Sequence, residues 1–454
     1  MARLRARSRT AAFGAVVTLT DLLPPRIRYG YVHRLTRRLL PGELPAISSR
    51  AVSRVVVADR LDATPPADVV CAILADHLDV GGIGSVVEML ALGFAAERVR
   101  PVVICHGDGK RARRLSGLGI DVISVSDHPS ALAALEGSGA HVIEVHSAPP
   151  YLEQVAMTTG LPLITVLHNT EIHYTRDKWA SFRTLLESSF AGIAVSATVR
   201  DFHAERVPPR LADRLTVVPN GAPSLRPATD EDRRTARLAL SHVTDVDLSR
   251  AVVMVCLARY DSQKNIAATT VAFLRAARQR DDLHLVFAGD VSDPVELNRA
   301  RALRDLNNGP RRIHFLGNSD AVTLLTAADA FLLNSFFEGW PVAATEAAAA
   351  GLPLILSEVG GAAELVSRGA NLSVMAPNPA GDAVGISDRL VRRARRRTRH
   401  QSGADQLVAA IITVADRARD GVAPQTPPSD VGVAEMVRGH ARVVRAAAKA
   451  NGAA

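Results

Sequence analysis

From Asp68 onward the chain repeats one unit, a short continuous apolar run followed by a segment with helical patterning. Runs that stay apolar throughout, rather than alternating with polar residues, suit strands buried on both faces. The expected strands of the first series are 69–75, 101–105, 121–125, 141–146, 163–167, 192–196 and 215–218. Helical segments such as 85–97 and 179–188 lie between them. Strand–helix–strand repetition implies a parallel sheet covered by helices. Residues 223–250 are polar, charged and Pro-containing, and read as a linker and leading helix. A second series follows at 251–257, 283–288, 312–316, 330–333 and 354–356, with helices at 266–278, 319–327 and 341–350. The expectation is an α/β chain with two similar parallel-sheet domains. Its divisions are a basic N-terminal extension (1–66), a first domain (67–225), a linker (226–250), a second domain (251–385) and a basic helical tail (386–454) that packs back on the body through segments 403–418 and 433–448.

With 47% hydrophobic residues but only 4% aromatic, the cores must rest on Ala, Val, Leu and Ile. Cys71, Cys105 and Cys256 each fall in an apolar run and have no metal-type spacing, so neither a disulfide framework nor a zinc site is expected. The net charge of +8 is clustered. Arg3, Arg5, Arg7 and Arg9 open the chain, and Arg34, Arg37 and Arg38 follow. Arg389, Arg392, Arg393, Arg395, Arg396, Arg397 and Arg399 form a second group. Such patches meet anionic lipid, nucleic acid or acidic substrates, or merely solvate helical faces. No run reaches the ~20 apolar residues needed to span a bilayer. The stretch from Arg7 to Leu23 has the basic lead of a signal peptide, but Asp21 interrupts it and no convincing cleavage site follows. It reads as an extension able to lie at a membrane interface.

Four phrases carry chemistry. Gly81-Gly82-Ile83-Gly84 lies between a strand and a helix, where glycines admit close backbone approach and a helix N-terminus favours anions. It lacks the full dinucleotide-binding pattern, and a tight structural turn explains it equally well. His168 stands in Leu167-His168-Asn169-Thr170 at a strand end, where open α/β sheets place ligands. A histidine there can bond a sugar hydroxyl or be purely structural. Arg259 and Lys264 flank the turn Ala258-Arg259-Tyr260-Asp261-Ser262-Gln263-Lys264-Asn265, the first offering a planar fork to phosphate and the second a point charge, though two surface cations near a turn are also common.

The fourth phrase is the most informative. Asn334-Ser335-Phe336-Phe337-Glu338-Gly339-Trp340-Pro341 precedes a helix for which Pro341 suits the first turn and Gly351 the end. Glu338 then lies in the loop before that helix and Glu346 two turns inside it. A carboxylate buried in Ala-rich surroundings requires a partner, and ligand hydroxyls would serve; the alternative is a surface Glu on an ordinary helix, which those surroundings disfavour.

Taken in order, GGIG, AVSATVRDF, VVPNGA, LARYDSQKN, VFAGD, HFLG and SFFEGWPVAATEAAAAGLPLILSEVGGAAELV resemble the retaining glycosyltransferases of family 4, whose fold is GT-B, two Rossmann-like domains facing across a cleft. The resemblance covers about residues 68–376, and its hallmark is Glu338 and Glu346 with seven residues between. It implies that Glu338 binds donor-sugar hydroxyls beside the amides of Gly339 and Trp340, and that Glu346 binds ribose hydroxyls. Arg259 and Lys264 would hold the diphosphate, Gly82 and Gly84 would approach it from the first domain, and His168 would lie near the transferred sugar. Three positions depart from the family's usual Gly, Gly and Asp: Ala258, Asn265 and Asn169. Only the last loses a functional group, since Asn169 cannot act as a base.

The implied activity is retaining transfer of a hexose-type sugar from a UDP- or GDP-sugar to a hydroxyl acceptor (a glycan, a lipid-linked sugar or a small molecule) in envelope, polysaccharide or glycolipid synthesis. No metal, other cofactor or nucleic-acid partner is expected. The expected location is cytoplasmic, with peripheral contact at the anionic inner membrane face. A sugar-nucleotide epimerase of similar fold, or a silent sugar-binding subunit, are the alternatives.

Overall fold

The structure, a computed structural model, describes residues 2–24, 27–40, 43–55, 67–79, 81–307, 309, 311–368, 372–382, 385–420 and 432–452. The side chain of Arg3 and the end of the expected extension, 56–66, lie outside them.

The chain forms two compact units. One comprises residues 57–223, 339–342 and 429–454. Its strands are β1 (Val69–Ala75), β2 (Val99–His106), β3 (Asp121–Val125), β4 (Val142–His146), β5 (Leu163–Leu167), β6 (Ser189–Ala194) and β7 (Leu215–Val217). They pair in the order β3-β2-β1-β4-β5-β6-β7, all parallel. Every residue of the central strands β4 and β5 is buried, as strands enclosed on both faces of a parallel sheet are.

The other unit comprises residues 1–56, 224–338 and 343–428. It holds β8 (Val252–Leu257), β9 (Leu283–Ala288), β10 (Ile313–Leu316), β11 (Ala330–Leu333), β12 (Leu354–Ser357) and β13 (Val374–Ala376), paired parallel as β10-β9-β8-β11-β12-β13. These are two Rossmann-like sheets, as expected. The strand β13 was not foreseen. It is three residues long, half-buried at the sheet edge, and followed by Pro377.

Each strand order reverses once, between β1 and β4 in the first sheet and between β8 and β11 in the second. At such a switch point neighbouring connections leave in opposite directions and open a crevice beyond the carboxyl ends of the strands. The glycine phrase follows β1, the Arg259–Lys264 turn follows β8, and the Glu338 loop follows β11.

The basic ends are built into the units. The helix Ala2–Thr20 packs against the helix Pro294–Leu306. Asp21, which interrupts the apolar start, is fully buried, and Arg395 donates to it at 2.6 Å and to Glu296 at 2.5 Å. Burial pushes the Asp21 carboxyl up, against the pull of Arg395 and Arg28. Arg28 reaches Asp388 at 3.0 Å, and Arg392 donates to the Asp21 carbonyl at 2.7 Å. Part of the second arginine cluster is therefore neither a solvated face nor free to meet a partner.

The helix Val433–Ala450 belongs to the first unit. Its seat depends on glycines: a Cβ at Gly93 would lie 2.6 Å from Val437 Cγ2, and one at Gly439 2.5 Å from Val218 Cγ1.

Candidate functional site

The turn after β8 is held from below. Tyr260 is fully buried, and its hydroxyl lies 2.7 Å from the Leu316 carbonyl and 2.9 Å from that of Phe287. Asp261 is buried and accepts from the backbone N–H of Gln263 (3.0 Å) and Lys264 (3.1 Å). Burial raises the Asp261 carboxyl, while Arg259 and Lys264 oppose that rise. Asn265 stands where the family usually has Gly, at φ 52° in the left-handed region that Asn tolerates. Its side-chain amide exchanges hydrogen bonds with Gln401 (2.8 and 3.0 Å). The Gly of VFAGD is explained by close approach, since a Cβ at Gly289 would collide with the Ala258 carbonyl.

The two strand-end loops of the second sheet are tied together. Phe336 N–H donates to the Gln263 carbonyl at 2.9 Å, and Gln263 Nε2 donates to the Phe337 carbonyl at 2.8 Å. Ser357 Oγ donates to the Ser335 carbonyl and Asn378 Nδ2 to that of Phe336. Within this frame Lys264 Nζ lies 2.6 Å from Glu338 Oε1. Ser335 Oγ donates to the same oxygen at 2.5 Å, and Gln263 Nε2 approaches Oε2 at 3.3 Å. Both Lys264 and Glu338 are largely buried, at 15% and 7% side-chain exposure. Arg259, by contrast, is 51% exposed and held loosely, 3.1 Å from Asp261.

Of the expected site residues, Arg259, Lys264 and Glu338 thus share one switch point. Glu346 lies on the helix Val342–Ala349 and is half-buried rather than enclosed as its Ala-rich surroundings suggested. Trp340 is buried, and Gly339 packs on the His168 carbonyl within the first unit, with no room there for a Cβ. In that unit Gly81 takes φ 140°, and Gly82 and Gly84 open the helix Gly82–Gly93, three residues earlier than expected. A Cβ at Gly84 would lie 3.2 Å from Arg111 Nε. His168 follows β5, and its Nε2 lies 2.9 Å from His146 Nδ1.

Sequence reading missed Ser335 and Gln263, which orient Glu338, and also Glu144, His146 and His440 behind His168. The signal for Glu144 and His146 was a charged and a titratable residue inside an otherwise apolar strand. His440 lies far away in the chain and carried no signal.

Two family models match, "Glycosyl transferases group 1" over residues 248–406 and "Glycosyltransferase Family 4" over residues 80–224, together about two thirds of the chain. The chain belongs to glycosyltransferase family 4.

Among curated proteins, this family 4 chain is 28% identical over 244 residues to a glycogen synthase of Mycobacterium tuberculosis, covering 51% of this chain and 54% of that protein. It is equally identical, over 244 residues, to the GDP-mannose:cellobiosyl-diphosphopolyprenol alpha-mannosyltransferase of Xanthomonas campestris, covering 51% and 59%. The chain thus spans little more than half the length of these relatives. Among solved structures it resembles Anabaena Alr3699/HepE in complex with UDP and glucose, with TM-score 0.61 at 17% identity, covering 83% of this chain and all of that one. At that identity the likeness speaks for the GT-B fold alone.

Proposed function

We propose that this chain is a retaining glycosyltransferase that moves a hexose-type sugar from a UDP- or GDP-sugar to a hydroxyl acceptor. The observation that carries the reading is the Lys264–Glu338 contact at the switch point of the second sheet, with Arg259 exposed beside it. A cation that can meet phosphate and a carboxylate that can meet sugar hydroxyls stand side by side. This is what a donor whose diphosphate and sugar lie one bond apart requires.

In the reaction the anomeric C–O bond to the diphosphate breaks, a C–O bond to the acceptor oxygen forms, and the acceptor's proton ends on the released diphosphate. Negative charge grows on the leaving oxygens, and fixed cations lower that barrier. Lys264 supplies one, held before the donor arrives by Glu338, which Ser335 and Gln263 orient; Arg259 supplies an exposed second. Glu338 accepts from donor-sugar hydroxyls beside the amides of Gly339 and Trp340, Glu346 accepts from the ribose, Gly82 and Gly84 admit the diphosphate, and His168 meets the transferred sugar. A diphosphate leaves readily, so no metal or strong general acid is assigned.

The acceptor belongs to envelope, polysaccharide or glycolipid synthesis. Relatives named for glycogen synthesis and for transfer to a diphosphopolyprenol-linked sugar support that range. Peripheral attachment to an anionic cytoplasmic membrane face is part of the same reading. It is supported by the large apolar residues Leu19, Leu22, Ile27, Tyr31, Leu35 and Leu39, all exposed. No helix among the described residues is long and apolar enough to cross a membrane.

Incubation with a panel of sugar nucleotides and candidate acceptors tests the function. One donor should be consumed only with acceptor, and NMR of the new linkage should show the donor's anomeric configuration. An inverted linkage would remove the retaining assignment, and an epimerised donor without acceptor would replace the transferase reading.

A further inference from the structure

A line of buried titratable groups runs up to His168 inside the first unit. Glu144 and His146 lie two residues apart on β4, which puts both side chains on one face of the sheet. His440, on the helix Val433–Ala450, comes to meet them, and all three are 0% exposed. His440 Nδ1 is hydrogen-bonded to Glu144 Oε1. His146 Nε2 lies 3.3 Å from the same oxygen, and His146 Nδ1 lies 2.9 Å from His168 Nε2. Glu144 Oε2, His146 Nε2 and His440 Nε2 make no aligned hydrogen bond among the described residues, so the approach of His146 Nε2 to Glu144 is electrostatic: a lone pair turned to that carboxylate would be repelled and an N–H attracted.

The protons in such a line can be assigned by elimination. Burial alone would raise the Glu144 carboxyl, but its histidine neighbours, His440 foremost, outweigh burial and hold it below the ordinary carboxylate range. Glu144 is therefore ionised and can only accept. Burial pushes the His146 ring down, and burial, then His146, push His168 well below the usual histidine value. Each of these two rings is therefore neutral, with one N–H and one lone pair. Facing a carboxylate, His146 must carry its hydrogen on Nε2, so its Nδ1 accepts. His168 must then donate from Nε2.

We propose that Glu144, His146 and His440 are positioning residues that lock His168 in the tautomer with hydrogen on Nε2, leaving Nδ1 as an acceptor for a substrate hydroxyl. The effect is that of a carboxylate orienting a catalytic imidazole, extended by one ring. Without the line, neutral His168 would divide between two tautomers, and the one with hydrogen on Nδ1 would present an N–H where the substrate hydroxyl needs an acceptor. The use made of Nδ1 rests on the transferase reading above; the tautomer does not. The three donors also lie within 4.8 Å of one another, close enough for a shared cation. However, His146 turns one nitrogen to Glu144 and the other to His168, which arranges the donors in a line rather than about a point.

Two-bond proton–nitrogen correlation spectra of ¹⁵N-histidine-labelled full-length protein near neutral pH read the tautomer directly, with His168→Asn assigning the signal. His168 should show a protonated Nε2 and a pyridine-type Nδ1. The His146→Phe variant keeps a ring but removes both nitrogens. In it His168 should lose the fixed tautomer, and kcat should fall about tenfold, the scale of one hydrogen bond, with donor KM within about twofold. A His168 protonated on Nδ1, or on both nitrogens, overturns the proposal. So does one equivalent of divalent metal in the purified protein, or an unaltered His168 signal in folded His146→Phe. If His146→Phe does not fold, the wild-type spectrum still decides. If the tautomer is as stated but no sugar is transferred, it is the transferase reading that fails.

Discussion

Lys264 Nζ and Glu338 Oε1 stand 2.6 Å apart where the strand order of the second sheet reverses, so the two groups assigned to opposite ends of the donor's scissile bond hold each other before it binds. Removing one partner of a buried pair strands the other. Lys264→Met should therefore destabilise the protein by about 2–4 kcal/mol, somewhat below the full cost of a completely buried pair because the lysine keeps some solvent contact. The double variant Lys264→Met/Glu338→Gln should recover most of that loss but none of the turnover. Denaturant unfolding alongside donor-consumption assays separates the two effects. If Lys264→Met turned over normally, the pair would have no part in donor binding.

Arg259 offers the complementary case. Half of its side chain is in solvent and its contacts are to two residues of the same turn, Asp261 and Gln263, so folding does not depend on it. Arg259→Ala should leave unfolding within about 0.5 kcal/mol of the parent. Turnover should fall roughly 10²–10³-fold, the cost of removing one group that stabilises transition-state charge. Near-normal turnover in the folded variant would reject the diphosphate role.

The contrast between these cations marks what the sequence made legible. Continuous apolar runs fixed twelve strands and both parallel sheets to within a few residues, because burial on both faces leaves that pattern. Among the described strands only β13 escaped, where a three-residue edge strand has too little burial to leave one. The motif order located Arg259, Lys264, Glu338 and Glu346. What it left out is long-range: that Lys264 pairs with Glu338, that Glu346 is half-buried, and that His440 reaches Glu144 across nearly 300 residues of chain. Arg395 was read as one member of a basic run, yet it is buried between Asp21 and Glu296. Local charge density reports nothing about which arginine finds a distant acid.

His203 gives the first unit a pH dependence. It is buried among Trp179, Phe182 and Phe202, its Nδ1 lies 2.8 Å from the Val199 carbonyl, and its Nε2 has no hydrogen-bond partner among the described residues. Burial pushes its pKa down to about 4. A depressed histidine contributes stability that is complete above the unfolded value near 6.5 and is lost as pH falls from there towards 4, by about 3 kcal/mol in all. His203→Phe removes the titrating group and keeps a ring among rings. Its unfolding free energy should fall less steeply than the parent's between pH 6.5 and 4. Parallel curves would show that this histidine does not govern the acid limb.

Ile27, Tyr31, Leu35 and Leu39 are spaced four apart, which places them on one side of the helical stretch. Tyr31, Leu35 and Leu39 are 75%, 57% and 67% exposed, while Val17, Asp21 and Arg28 turn inward to the body. Exposed Arg34 and Arg38 flank the stripe. An apolar stripe edged with arginine suits the headgroup layer of an anionic bilayer, where each arginine adds about 1 kcal/mol. Deleting the segment would be a poor test, because Asp21 and Arg28 hold Arg395 and Asp388 and their loss would disturb the domain itself. Outward substitutions avoid this. Parent protein should sediment with vesicles containing phosphatidylglycerol and far less with phosphatidylcholine alone. Leu35→Asp/Leu39→Asp should abolish binding at any salt, since it removes the apolar contact. Arg34→Glu/Arg38→Glu should remove the anionic preference and its salt sensitivity. All three proteins should keep the same unfolding midpoint and the same turnover on a water-soluble acceptor. Equal failure of the parent to bind either vesicle would dismiss the membrane contact and leave the donor site as described.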